Sequence, residues 1–416
     1  MHLGKQRIVS LDVFRGMTMI LMILVNNPGD WGNVYAPLLH AEWHGWTPTD
    51  LVFPFFVFAM GMALPFSSAP GAGLTKDQFM KILARSLRLV ALGLFLNFFS
   101  RIEFGPSNGL TLLLFRLMIT GFVGFLLLGN FETRIKLYIA LILLAIMLVL
   151  AYSGLPHFSK VRIPGVLQRL GVVYFFAALA FQTFSFRVQF GVAAAVLVGY
   201  WLLLAYVPVP GTGVTGFEKG ANLAAWVDEW LLREHVWASS RPWDPEGILS
   251  TFPAIISCLI GTWAGTLLRM RSDRKYLIYV GAALLVCGLI WSRYFPINKA
   301  LWTSSFVLLT TGLGFILMAL VSYLCDDKPV RAFTAFLVMW GVNPIIVFFG
   351  AGILPRALNM IKTGEGQALL SAFYKNGLVP IFNDPRDSSL VFALVHVLFW
   401  SLVLLYLRKQ KMIIKV

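Results

Sequence analysis

The chain has 416 residues, of which 58% are hydrophobic and only 13% are charged. An ordinary soluble domain carries about 25% charged residues, so this composition excludes one and predicts an all-α polytopic membrane protein. The net charge of +15 does not indicate nucleic-acid binding, because the basic residues cluster in short loops and at the C-terminus, as membrane-topology signals do. Three isolated cysteines provide no paired metal ligands, and we expect no metal site.

Apolar runs long enough to cross a hydrocarbon layer of ~30 Å recur along the whole chain. We predict about twelve transmembrane helices, with a range of ten to twelve, in a single membrane domain over residues 1–416. The predicted spans are approximately 8–27, 48–66, 79–100, 110–129, 134–152, 164–185, 188–207, 250–268, 276–292, 301–324, 331–353 and 388–407.

The charges of the loops predict the orientation of these spans. Placing the N-terminus, with Lys5 and Arg7, in the cytoplasm also places most other loop cations there and the C-terminus with them. These cations are Lys76, Lys81, Arg134, Lys136, Arg187, Arg269, Arg271, Arg274, Lys275, Lys328, Arg331, Arg408, Lys409, Lys411 and Lys415. Loops 27–47, 208–249 and 354–387 then cap the outer face. The first apolar run does not end in a small-residue cleavage site, so we expect it to be a retained helix rather than a signal peptide.

The first span carries polar residues near both of its ends. Asp12 and Arg15 are three positions apart, which suits either an ordinary helix start or an Arg15 that binds an anionic ligand at the cytoplasmic mouth. Asn26 ends the span, either as part of a turn or as an amide that donates to a developing oxyanion. Fourteen residues of helix separate Asp12 from Asn26, or about 21 Å, close to the reach of an extended phosphopantetheine arm.

Residues 40–50 join the first two spans and are the most polar short segment of the chain. They contain two of the six histidines, two carboxylates and two tryptophans. His40 and His44 would share one face if the segment were helical, and imidazole suits proton transfer or acyl capture near neutral pH. Asp50 can cap the next helix or orient a histidine. The alternative is a surface loop with interfacial tryptophans.

Three later segments also bring polar residues to the ends of spans. Asp244 and Glu246 precede the eighth span, where they are either a helix-start signature or a site for an amine or a sugar hydroxyl. Polar residues at membrane depth are costly and tend to be functional. The remaining candidates of this kind are Gln168 and Arg169 in the sixth span, and Asn298, Lys299 and Trp302 at the start of the tenth.

Taken together, these motifs resemble the membrane-bound heparan-α-glucosaminide N-acetyltransferases and their bacterial relatives. The resemblance covers the chain from residue 10 to about residue 345, in the expected order. The matching motifs are LDVFRG (11–16), LVN (24–26), HAEWHGWTPTDLVFPFFVF (40–58), RIPGVLQR (162–169), VPVPG (207–211), DPEG (244–247) and NKALWTS (298–304).

The resemblance implies transfer of an acetyl group from cytosolic acetyl-CoA to an amino sugar, glucosamine or a terminal glucosaminide, on the far side of the membrane. It places the active histidine at His40 and an active-site asparagine at Asn26, with Asp50 as the third catalytic candidate. Candidates for binding acetyl-CoA are Arg15, Arg85, Arg88, Gln168 and Arg169. Candidates for binding the acceptor are His44, Asp244, Glu246, Asn298, Lys299 and Trp302.

Two features depart from the family pattern. Two additional apolar spans intervene between residues 110 and 152, and the large lumenal N-terminal region of the lysosomal members is missing, from which we expect a bacterial inner-membrane protein. The oligomeric state stays open, with a homodimer as one alternative. The competing functional hypothesis is a multi-spanning transporter of sugars or other small solutes, although no two-half repeat is visible.

Overall fold

A computed structural model describes residues 8–103, 105, 109–270, 273–327 and 331–414. The topology predictions for Lys5, Arg7, Arg271, Lys328 and Lys415, and for the side chain of Arg331, lie outside the described part of the chain. Within it, the chain forms fifteen α-helices and no β-strand, which confirms the predicted all-α class.

The helices follow one another with short connections over most of the chain. The first eight are α1 (Val9–Asn26), α2 (Val52–Ala63), α3 (Lys76–Phe99), α4 (Gly109–Leu128), α5 (Thr133–Tyr152), α6 (Val166–Thr183), α7 (Phe186–Tyr206) and α8 (Leu223–Leu232). The others are α9 (Ile248–Arg269), α10 (Lys275–Trp291), α11 (Ser304–Ser322), α12 (Arg331–Val342), α13 (Pro344–Leu358), α14 (Leu369–Ala372) and α15 (Pro385–Lys409).

Ten helical segments in the described ranges are long and apolar enough to cross a membrane, which confirms a polytopic membrane protein. Two of the twelve predicted spans differ from the prediction. Helix α10 has only 17 residues and is short for a span. The prediction of one continuous helix over 331–353 is wrong, because α12 and α13 are bent by 71° at the break before Pro344. Proline lacks the amide hydrogen and clashes with the preceding turn, which explains the break.

The helices differ in how much of their surface is buried. Helices α2, α3, α9 and α11 are mostly buried inside the protein, whereas α4, α5 and α7 bury little of theirs. The outward faces of the latter carry large apolar side chains such as Leu110, Phe122 and Phe125. Because such surfaces are stable only against lipid or another protein, we place α4, α5 and α7 at the lipid-facing periphery.

Close contact between α2 and α9 fixes the relative position of the segments that precede them. A β-carbon added to Gly61 would lie 1.9 Å from the carbonyl oxygen of Cys258, and one added to Gly261 would lie 2.3 Å from that of Phe58. Small residues therefore let the two backbones touch, as is common between membrane helices. The turn that carries Asp50 begins α2, so this contact holds that turn beside the start of α9.

Candidate active site

A cavity of about 860 Å³ runs through the interior of the helix bundle. It is lined along α1 from Arg15 to Asn26 and along the second span from Asp50 to Ala63. Arg15 and Asn26 lie eleven positions apart on one helix, so the cavity extends about 16 Å along that helix. One cavity therefore joins the two polar ends of the first span.

At one end of the cavity, a capped turn positions the Asp50 carboxylate. Thr47 and Asp50 form a capping box around the 3₁₀ turn Pro48–Leu51. Oδ2 of Asp50 accepts hydrogen bonds from the backbone amides of Ala41 and Thr47, at 3.0 and 3.1 Å. The carboxylate is 1% exposed, so these bonds replace the water that it has lost.

The other oxygen of this carboxylate orients His40. Nδ1 of His40 lies 2.7 Å from Oδ1 of Asp50, and the carboxylate is the acceptor of this hydrogen bond. A proton held at Nδ1 leaves the lone pair of Nε2 free, as in His–Asp pairs of hydrolases. The His40 side chain is 49% exposed and lines the cavity. Nε2 is therefore available as a base or as a nucleophile.

Lys299 brings a cation to the same pair. Its Nζ lies 3.0 Å from Nδ1 and 3.4 Å from Nε2 of His40, and 3.4 Å from Oδ1 of Asp50. Burial lowers the pKa of Lys299, although the carboxylate of Asp50 partly opposes that shift. The three charged or titratable groups thus form one cluster at the end of the cavity.

The two other acceptor candidates near Lys299 hold its loop in place. Oδ1 of Asn298 accepts from the amide of Leu301 at 2.9 Å, and Nδ2 donates to the carbonyl oxygen of Trp43 at 2.9 Å. Trp302 is fully buried and its Nε1 donates to Oγ of Ser257 at 3.0 Å. Neither side chain lines the cavity. Their contacts position Lys299 and residues 40–46 rather than a bound molecule.

The two histidines of the polar segment do not share a face, because residues 40–46 are not helical. His44 is exposed, lies 3.5 Å from Nδ2 of Asn298, and is not part of the cavity lining. Asn26 does line the cavity, at the C-terminal end of α1. The structure therefore brings His40, Asp50, Lys299 and Asn26 to one cavity and leaves His44 outside it.

An ionic network borders the same end of the cavity. Arg162 donates from Nε and Nη2 to the two oxygens of Asp244, at 2.8 and 2.5 Å, and also pairs with Oε2 of Glu246. Burial opposes the charge of Arg162, but the carboxylates of Glu246 and Asp244 raise its pKa. Asp244 is buried, whereas Glu246 lines the cavity. Arg162 was part of a sequence motif but was not among the predicted site residues.

At the opposite end, two arginines face the cavity. Arg15 and Arg85 both line it. The guanidinium of Arg15 lies 3.9 Å from Asp12, and that of Arg85 lies over the ring of Tyr174 at 4.5 Å. Nε of Arg85 is buried without a hydrogen-bond partner in the described part of the chain. Two guanidinium groups therefore lie at the cavity wall and have few acceptors from the protein. Such groups can bind an anionic ligand.

The three other donor-binding candidates lie away from the cavity lining. Nε of Arg88 donates to Leu127 O at 2.5 Å, and Nε2 of Gln168 donates to Ile163 O at 3.0 Å. Nη2 of Arg169 donates to Gly247 O at 3.0 Å. These side chains join neighbouring segments of the protein and do not lie with Arg15 and Arg85 in the cavity lining.

The sequence reasoning missed several aromatic and hydroxyl side chains of the cavity. Trp237, Trp243, Ser239 and Ser240 line it at the His40 end. They lie in loop 208–249, whose tryptophan content was visible in the sequence. These residues precede the predicted site residue Asp244 by at most seven positions, and this closeness in sequence could have indicated that they belong to the same site.

No family model matches the chain. It is similar to two curated proteins, both named heparan-alpha-glucosaminide N-acetyltransferase. The human protein is 29% identical over 401 residues, which cover 83% of this chain and 52% of the relative. The mouse protein is 28% identical over 408 residues, which cover 84% of this chain and 54% of the relative. The chain therefore spans about half the length of the curated relatives it matches, and the similarity confirms the resemblance found in the motifs.

Proposed function

We propose that this protein is a transmembrane acetyltransferase, which moves an acetyl group from cytosolic acetyl-CoA to an amino sugar on the opposite side of a bacterial inner membrane. The observation that supports this most strongly is the cavity itself. It has two arginines at one end and the His40–Asp50–Lys299 cluster at the other. The names of the two similar proteins agree with an acetyl donor and an amino-sugar acceptor.

In this proposal the arginine end binds the donor. Guanidinium groups match the geometry of phosphate oxygens, so Arg15 and Arg85 would hold the phosphates of acetyl-CoA. The pantetheine arm would then extend along α1 toward Asn26 and His40. The distribution of basic loop residues favours a cytoplasmic location for the arginine end.

At the other end, His40 would carry out the transfer by one of two routes. In the covalent route, Nε2 attacks the thioester carbonyl, the C–S bond breaks, and the CoA thiolate leaves. The acceptor amine then attacks the acetyl carbon, the Nε2–C bond breaks, and the proton lost by the amine balances the proton gained by CoA. In the direct route, Nε2 removes the amine proton during attack on the thioester and passes it to the departing thiolate.

Both routes create negative charge on the carbonyl oxygen, and two side chains can stabilise it. Nζ of Lys299 lies 3.4 Å from Nε2 of His40, close to where the reacting carbonyl must sit. Asn26 lines the same cavity and can donate from its amide. Preorganised donors aimed at such an oxyanion are a large source of rate enhancement.

Release of free CoA thiol from acetyl-CoA by the purified protein, with and without glucosamine, tests this proposal. We expect glucosamine-dependent release by wild type, loss of that release in His40→Ala, and little change in His157→Ala. His157 is a suitable control because it is exposed, pairs with Glu103 at 3.0 Å, and lies outside the cavity lining. Sugar uptake into vesicles that is unchanged in His40→Ala, without CoA release, would instead support the transporter hypothesis.

A further inference from the structure

We infer that Trp237, Trp243 and Glu246 form the acceptor subsite, in which the tryptophan rings bind the pyranose ring and the carboxylate binds its amine. This inference rests on the proposed function, because it concerns the acceptor of that reaction. All three side chains line the cavity at the end that holds His40 and Lys299. A molecule bound against them would therefore lie next to the reacting groups.

The tryptophans offer apolar faces beside polar groups. The guanidinium of Arg162 covers one side of Trp237, 4.5 Å from the ring centroid, and the residue is still 46% exposed. Trp243 packs edge-on against Trp43, with the ring centroids 5.2 Å apart. A pyranose has faces of C–H groups and an edge of hydroxyls, so it can stack on an indole while its hydroxyls bond to polar neighbours.

The backbone that carries these two rings is held in place by the protein, and so is the ring of Trp43 against which Trp243 packs, unlike tryptophans that only mark a membrane interface. Asp244 accepts from the amide of Trp237 at 2.9 Å, and Oγ of Ser240 donates to the carbonyl oxygen of Trp243 at 2.7 Å. Nε1 of Trp43 donates to the carbonyl oxygen of Phe217 at 2.8 Å. Aromatic side chains on a fixed backbone form a binding surface at low entropic cost.

Glu246 gives this surface a preference for an amine. Its side chain is 9% exposed, lines the cavity, and pairs with Arg162 through Oε2. A buried carboxylate binds a charged or hydrogen-bonding amine more strongly than it binds a hydroxyl. The donor phosphates fit the other end better, because Arg15 and Arg85 line it and the described lining residues there include no carboxylate.

The test compares Trp237→Leu and Trp243→Leu with wild type, and uses Trp31→Leu as the matched control. Trp31 is 61% exposed and lies outside the cavity lining. We expect the KM for glucosamine to rise about tenfold in each cavity variant, while the KM for acetyl-CoA and the values of the Trp31 variant stay near those of wild type. We expect Glu246→Gln to bind glucosamine no better than glucose.

Calorimetric binding of glucosamine without acetyl-CoA separates this inference from the proposed reaction. Weaker binding in both tryptophan variants, with correctly folded protein, supports the subsite whether or not acetyl transfer is observed. Equal glucosamine binding and an equal KM in wild type and both variants would overturn the subsite. In that case, CoA release by wild type would leave the proposed function intact.

Discussion

The two ends of the cavity differ in how their charges are satisfied. At the His40 end, Lys299 and Arg162 are each paired with a carboxylate, at a Lys299–Asp50 distance of 3.4 Å and an Arg162–Asp244 distance of 2.5 Å. At the other end, Arg15 lies 3.9 Å from Asp12, and Nε of Arg85 lacks a partner in the part of the chain that the structure describes.

This difference separates two tasks. A paired and preorganised cluster keeps reacting groups in a fixed geometry, which is what acid–base or nucleophilic catalysis needs. Cations with few protein acceptors bind a charged ligand without first breaking strong protein contacts. The comparison therefore predicts large effects on turnover at the His40 end and effects on donor binding at the arginine end.

The largest expected effect comes from Asp50→Asn. The asparagine amide can donate to Nδ1 of His40, which places the imidazole proton on Nε2 and removes its reactive lone pair. We expect kcat to fall by about 10²- to 10⁴-fold, as for the same change in His–Asp pairs of proteases. The steady-state rate of glucosamine acetylation at saturating substrate gives this kcat. Exposed Asp77→Asn is the control, and a kcat of Asp50→Asn within a few-fold of wild type would contradict the assigned role.

Removal of either cavity arginine should weaken donor binding. We expect Arg15→Ala and Arg85→Ala each to raise the KM for acetyl-CoA by about tenfold, because each loses a charge-assisted contact with phosphate. The KM for a short acetyl thioester without phosphates should not change. Arg187→Ala, which removes an exposed arginine at the start of α7, should behave as wild type. An equal rise for both donors would show a general structural defect instead.

A smaller effect concerns the alkaline side of the pH profile. Burial lowers the pKa of Lys299, so its ammonium loses the proton at a pH below the usual value for lysine of about 10.4. Activity that depends on this cation should therefore decline as the pH rises through the lowered pKa of Lys299. In Lys299→Arg the guanidinium stays charged, so we expect the decline to move to higher pH, with only a few-fold change near neutrality. Superimposable pH–rate profiles would rule out a role for the ammonium.

A separate effect concerns stability rather than activity. Burial raises the pKa of Asp228 to about 6, although its carboxylate accepts from the amides of Ile248 and Asp244. The folded state then binds this proton more tightly than the unfolded state, so stability falls as pH rises from about 4 to about 6. The loss is at most about 3 kcal/mol. We expect the difference in Tm between wild type and Asp228→Asn to change between about pH 4 and pH 6. A difference that stays constant over this range would refute the raised pKa of Asp228.

The fold was largely predictable from the sequence, because the length of an apolar run is a local property. The broken span was not predicted, although Pro344 marks the place where α13 begins. An isolated proline either kinks a membrane helix or ends it, and tertiary contacts decide which.

The candidate site was predictable where its residues are neighbours in sequence. His40 and Asp50 are joined by a turn whose capping residues are visible in the sequence. Lys299 was proposed as a site residue, but its contact with His40 spans 259 positions and no local pattern reveals it. The prediction that Arg88 and Arg169 bind the donor with Arg15 and Arg85 could not be checked from the sequence. Helix packing decides which face of a helix lies toward a cavity, and neither side chain lines this one.

The central claim is that one cavity holds acetyl-CoA with its phosphates at the arginine end and its acetyl group at the His40 end, on the acceptor's side of the membrane. The most direct measurement uses proteoliposomes with glucosamine trapped inside and acetyl-CoA added outside. We predict that N-acetylglucosamine accumulates inside in wild type and not in His40→Ala. Product that forms only when both substrates are on the same side of the membrane would contradict the account.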